Sequence, residues 1–325
     1  MRYVRLVLFL LGVGGLVFLV VRIGPDALTA AFSELRWWQF ALVCLPYGLI
    51  MIVDTLGWRY AFARDAAPFH RLLGARLAGD ALNVATAMAS VGGEAVKAWL
   101  IRRDVSYEES VPSVVIAKTT ITIAQALFLL VGIAIAWAAL PMHSVVVRSM
   151  LWLLAVEILA VGGFFLVQIV GLVRHGGRLL ARFGVIDDVA YAERLDRSLC
   201  EFYRRDWRRF LLSAGFHLGG WLLGALETYL MLVVLRVPVP LATAVVIEAF
   251  GSGVRFATFL IPASIGAAEG ANTAAFAALG FTASAGLAFS LVRRGRQVVW
   301  IVIGVLVLVV MRSDVWLGRT RRSTA

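Results

Sequence analysis

Six stretches of this chain, 4–23, 39–58, 111–139, 145–171, 210–235 and 282–311, are each long and apolar enough to cross a bilayer as a helix. A spanning helix needs about 20 mostly apolar residues, and a soluble core has no place for six such runs. Hydrophobic residues make up 61% of the chain, against roughly 45–50% in soluble domains. The runs are rich in Leu, Ile, Val and Ala and lack the alternation of an outer-membrane barrel. The expected fold is therefore an all-α polytopic membrane protein.

Two further apolar segments, 71–101 and 241–280, do not suit a straight crossing. The first contains Asp80, Asn83, Glu94 and Lys97 and breaks at Gly92-Gly93. A central Asp or Lys costs about 2.5–3.5 kcal/mol on insertion scales, so a lipid-facing helix fits poorly. A broken hairpin, buried in protein or lining a watery cavity, is the physical alternative. The second segment has Pro262, which favours an extended residue before it, and Gly266, with Arg255, Ser264 and Glu269 nearby.

If both segments return to their own side, the basic residues separate. Most of the 31 Lys and Arg fall on the side of the N-terminus, 59–76, 97–110, 172–209 and the C-terminal tail. The other side takes only Arg22, Arg36, Arg148 and Arg236. The positive-inside rule then puts both termini in the cytoplasm, with the protein in the inner membrane. Arg2 and Arg5 ahead of the first run resemble a signal peptide, but the run is long and no A-x-A site follows closely, so a retained helix is expected.

The net charge of +11 does not indicate nucleic acid, because the arginines flank apolar runs; contact with anionic lipid head groups explains them better. Cys44 and Cys200 form neither a disulfide framework nor a metal spacing, and no cofactor is expected. One transmembrane domain fills 1–325: a first helix and external segment over 1–38, with Trp37 and Trp38 at the interface; a first repeat over 39–139; a linking helix and cytoplasmic amphipathic segment over 140–209; a second repeat over 210–311; and a tail over 312–325. In the amphipathic segment, Tyr191, Leu195, Leu199 and Phe202 recur at helical spacing, which fits a helix lying on anionic lipid or a solvated connector. Asp54 reads as a head-group-level carboxylate near Arg59. His217 reads as a packed hydrogen-bonding residue, and Glu227 needs a partner such as Arg255 or an arginine of the last helix. Gly215 with Gly219, and Gly220 with Gly224, are small-residue pairs suited to close helix packing.

Each half runs crossing, broken polar segment, crossing, and the halves start on opposite sides of the membrane. That is an inverted repeat of the kind that builds a midplane site from broken helices. A half-helix start offers free N–H groups and a positive dipole end to an anion. Glu94 and Glu269 are placed to cap such amides or to pair with Lys97 and the arginines. The last run is expected to begin near Thr282 and to carry Arg293, Arg294 and Arg296 inward; arginine is a planar partner for phosphate. The pattern leaves open which of Arg293 and Arg294 faces a cavity.

The stretch 79–103 with GGEAVKAWLIRR, the later PASIGAAEG and the arginine-bearing last helix resemble the flippase-like transmembrane family, which includes the membrane region of lysylphosphatidylglycerol synthases. Relatives are associated with hopanoid and glycolipid pathways. The resemblance covers nearly the whole chain and implies movement of a polar-headed lipid between leaflets. It makes Glu94, Lys97, Glu269 and Arg294 candidate site residues. Two departures stand out. Ala89-Ser90 replaces a proline common in relatives, and the chain ends at Ala325 without a soluble aminoacyl-transferase domain, so synthase activity is not expected to follow.

The leading expectation is thus a non-enzymatic lipid transporter for an anionic or glycosylated lipid. Its substrate would be held by Asp80, Asn83, Glu94, Lys97, Arg255, Ser264, Glu269, Arg293 and Arg294, with lipid-biosynthesis enzymes as candidate partners. The alternatives are a membrane-embedded transferase on a lipid-linked donor, which lacks a DxD or His cluster here, and a scaffold in a lipid-biosynthesis complex.

Overall fold

In a computed structural model of the protein, the residues described are 17, 18, 20, 21, 26, 36–85, 92–140, 144–170 and 189–322, with main chain alone at 85, 189, 191, 192 and 313–322. Most of the expected first helix, the Ala89-Ser90 turn and the start of the amphipathic segment, Tyr191's side chain included, lie outside them.

The described residues are helical and contain no strand: α1 Trp37–Tyr60, α2 Phe69–Ala85, α3 Gly92–Leu100, α4 Tyr107–Ala139, α5 Val145–Val170, α6 Val189–Arg205, α7 Trp207–Val234, α8 Leu241–Ala257, α9 Ala267–Ala278 and α10 Ala283–Arg322. Five are long and apolar enough to span a bilayer, namely α1, α4, α5, α7 and α10 through Arg312. They coincide with five of the expected crossings. The exposed Trp37 and Trp38 belong to the first turn of α1 rather than to a separate segment. The last helix does begin at Ala283 and carries its arginines inside the bundle.

Local chemistry explains several boundaries. Glu108 and Glu109 occupy the first turn of α4, where the helix dipole favours negative charge. The loop 61–68 is pinned by Arg209: its Nε donates to the Phe62 carbonyl at 2.6 Å, and its Nη2 lies 2.9 Å from Asp65 Oδ1. Bonds from Arg59, and then from Arg209, hold the Asp65 carboxyl below the usual carboxylate range. The chain between α8 and α9 turns through Pro262–Ser264, where Ala263 and Ser264 both have φ of 50° and Gly266 has φ of 78°. Left-handed backbone at a non-glycine residue costs about 1–2 kcal/mol. The Arg294 guanidinium holds this turn in place, donating to the Ala263 carbonyl at 2.7 Å.

The helices pack in matching pairs. The α1 and α7 helices lie along one another, α2 lies on α10, and α8 lies on α4. Glycines set the closest approaches. A Cβ at Gly57 would stand 2.7 Å from the His217 ring, and one at Gly220 would collide with the Asp54 carboxyl. Of the small-residue pairs on α7, only Gly220 and Gly224 face polar side chains; Gly215 meets nothing within 4 Å. Apolar clusters seal the bundle around a polar centre. One joins Trp58, Leu72, Leu100, Ile101, Leu199 and Phe202; a second joins Phe128, Met150 and Phe250; a third joins Val43, Met231, Phe276 and Phe289. Leu199 and Phe202 are buried in the first cluster, so the stripe of α6 covers protein, not lipid.

Candidate functional site

Between these clusters, α1, α2, α4, α7, α8 and α10 line a partly open cavity of about 270 Å³. Its wall carries four carboxylates, Asp54, Asp80, Glu227 and Glu248, and four guanidiniums, Arg76, Arg255, Arg293 and Arg296. Tyr47, Trp221, Gln297 and apolar side chains complete the wall. Charges at such depth persist only when paired and hydrogen-bonded, and α2, α3, α8 and α10 supply the partners.

On the first-hairpin side the charges form a chain. The Arg76 Nη2 lies 2.9 Å from Asp54 Oδ2 and its Nε 3.5 Å from Asp80 Oδ2. Lys97 Nζ then lies 2.6 Å from Asp80 Oδ1 and 3.1 Å from Glu94 Oε1. Asn83 closes the chain at the break: its amide donates to Glu94 Oε1 at 3.1 Å, and its Oδ1 accepts from the Gly93 N–H at 2.9 Å. At the other end, His217 Nδ1 sits 3.2 Å from Asp54 Oδ1.

The second-hairpin side has two groups. Glu248 receives Arg293, Arg255 Nη2 at 2.7 Å and the Thr228 hydroxyl at 2.6 Å. Glu227 lies 2.9 Å from Arg296 Nε, and the Arg296 guanidinium lies 4.2 Å from the centre of the Tyr47 ring. The separate group is at the hairpin turn. Glu269 Oε1 accepts from Arg294 Nε at 2.5 Å, while Oε2 accepts from the Gly266 N–H at 2.7 Å. Ser264 is buried and bonds the Thr258 hydroxyl at 2.9 Å.

Of the residues predicted from sequence, Asp80, Arg255 and Arg293 line the cavity. Asn83, Glu94 and Lys97 stand behind Asp80 in one bonded chain. Ser264, Glu269 and Arg294 gather at the turn and are absent from the cavity wall. It is Arg293 that faces the cavity. Asp54 is corrected: it is buried and bound to Arg76 and His217, while Arg59 pairs with Asp65 instead at 2.5 Å. Sequence reasoning missed Arg76, Glu248 and Tyr47 and left the Glu227 partner open; that partner is Arg296. A spacing signal existed, because Glu248 and Arg255 are two turns apart on one face of an otherwise apolar helix. Among the described residues, no three His, Cys, Asp or Glu side chains gather to hold a metal ion.

Over residues 4–305 the chain matches the family described as the lysylphosphatidylglycerol synthase TM region. The chain belongs to that family. Neither curated proteins nor solved structures give a match. As a member of the lysylphosphatidylglycerol synthase TM region family, the chain is a multi-pass membrane protein of a lipid-related class. In this member, Asp80, Arg255 and Arg293, three of the polar residues that hydropathy cannot place in lipid, meet at one cavity.

Proposed function

We propose that the protein is a transporter rather than an enzyme, moving a lipid with an anionic or glycosylated head group between the leaflets of the inner membrane. The observation that carries this reading is the charge on the cavity wall. On the second-hairpin side three guanidiniums, Arg255, Arg293 and Arg296, stand against two carboxylates, Glu227 and Glu248. Arg255 is the most open of the three, with 29% of its side chain exposed. A partly exposed guanidinium facing this cavity, on the side where arginines outnumber carboxylates, suits a phosphodiester or acidic sugar. The cavity has room for a head group but not for acyl chains, which would remain in the bilayer.

The helix lengths support two re-entrant hairpins in an inverted repeat. At 1.5 Å per residue, α3 with 9 residues and α9 with 12 are too short to cross. Exchanging α1 with α7, α2 with α8, and α4 with α10 maps the α2–α10 packing onto the α8–α4 packing, as two related halves require. The arginines of α6 and of the start of α7 would lie at a cytoplasmic face rich in anionic head groups, with both termini on that side.

Leaflet-resolved transport of a labelled anionic phospholipid in proteoliposomes tests this reading. The Arg255→Ala protein is expected to transport about tenfold or more slowly than wild type, because a charge-assisted bond is worth about 1.5–3 kcal/mol. It should still fold, since Glu248 keeps Arg293 and Thr228. Transport by Arg255→Ala at the wild-type rate would remove that side chain from the site.

A further inference from the structure

The α5 helix is the most apolar of the five spans, with a mean hydropathy of 2.4 in its span window. One face of it, with Val147, Met150 and Leu154, is buried against α4 and α8, and Val161 further along is buried as well. Glu157 lies on this face, midway along the helix, at 0% exposure, and neither carboxyl oxygen has a hydrogen-bond partner.

The ionisable groups on the surrounding helices are engaged elsewhere. On α4, Glu109 pairs with Arg64 and Glu108 with Arg194 of α6, while Lys118 is exposed. On α8, Glu248 and Arg255 bind each other; on α9, Glu269 binds Arg294. On α6, Arg205 pairs with Glu201, the Tyr203 hydroxyl and the Cys200 thiol bond the side chain and carbonyl of Gln168 on α5, and none of Glu193, Asp196, Arg197 or Arg204 bonds Glu157. Arg148 of α5 itself is nine residues away. An ionised carboxylate without a partner cannot rest in such a place; the group neutralises instead.

We propose that Glu157 is a proton-binding site: α5 seats on α4 and α8 with this carboxyl held as the neutral acid, and the proton leaves only when that face opens. The inference does not depend on what the cavity carries. A neutral acid at membrane depth reacts with a lipophilic carbodiimide. The acid oxygen bonds the central carbon of the reagent and the acid proton moves to one of its nitrogens. The acyl group then shifts to the other nitrogen, giving a stable N-acylurea with no leaving group.

The test uses the full chain in lipid nanodiscs, treated with dicyclohexylcarbodiimide or with a water-soluble carbodiimide and analysed by peptide mass spectrometry. The lipophilic reagent is expected to modify Glu157, with a yield that falls about tenfold per pH unit once the acid titrates; the water-soluble reagent leaves it unmodified. Failure to label Glu157, a yield that ignores pH, or equal labelling by the water-soluble reagent overturns the proposal. Thermal unfolding of Glu157→Gln gives an independent reading. That side chain is neutral at every pH, so the variant should match wild type in acid and exceed it in alkali. Lower stability than wild type in alkali would mean that the carboxylate itself holds α5, and would overturn the proposal as well.

Discussion

Replacing Glu248 with alanine is expected to destabilise the protein by about 3–5 kcal/mol, the cost of leaving a buried partner charge uncompensated. Glu248 is the acceptor on which α7, α8 and α10 meet: Thr228, Arg255 and Arg293 all donate to its two oxygens. Arg293 is buried and, among its bonds, would keep only the one to the Thr228 hydroxyl at 2.7 Å. Glu248→Gln retains an acceptor but loses the charge, so it should fall between alanine and wild type. Thermal or denaturant unfolding in detergent would measure both, and a wild-type midpoint for Glu248→Ala would show that this cluster does not hold the three helices together.

The second large effect is expected at Gly93. A Cβ there would collide with the Gly79 carbonyl oxygen, and its next neighbours would be Asn83 Cγ and the Asn83 Oδ1 that accepts from the Gly93 N–H. Since a backbone carbonyl cannot turn aside as a flexible side chain can, Gly93→Ala should cost about 3 kcal/mol, the upper end for overpacking. It should also separate α3 from α2, with loss of the Lys97–Asp80 contact. Gly163→Ala is the matched comparison. Nothing lies within 4 Å of that position, and alanine in a helix gains roughly 0.8–1 kcal/mol over glycine. The same unfolding measurement should therefore move in opposite directions for the two variants; equal shifts would mean that the α2–α3 approach is not close.

Much of this architecture was legible in the letters because bilayer insertion depends on summed hydropathy, and the runs behind α1, α4, α5, α7 and α10 stand out on that measure alone. The broken segments were visible for the converse reason: Asp80, Glu94 and Lys97 cost too much in lipid. The short-range bonds could also be anticipated, as with Glu94 and Lys97 at three residues or Glu269 capping its own helix start. The long-range ones could not. Asp54 has Arg59 close by in sequence as a plausible partner, yet five residues along a helix point to a different face, and Arg76 reaches it from another helix. In the sequence Arg76 reads as one of the charges flanking the membrane, since nothing local distinguishes an interfacial arginine from a buried one. The separation of Arg293 from Arg294 likewise depends on which face α10 turns toward α8. That is fixed by packing at Gly304, where a Cβ would collide with the Leu77 carbonyl of α2.

The proposed convergence of segments 71–101 and 241–280 on one water-accessible cavity can be measured with cysteines, after Cys44→Ser and Cys200→Ser. Asp80→Cys and Arg255→Cys occupy the first- and second-hairpin walls, where the native side chains are 22% and 29% exposed. Each should react with a charged aqueous thiol reagent, whereas Leu226→Cys on the exposed apolar face of α7 should not. With both substitutions in one chain, a bulky reagent should attach once, because the first adduct fills the space the second would need. Two adducts per chain, or a cysteine at either position that water-borne reagent never reaches, would contradict a shared cavity.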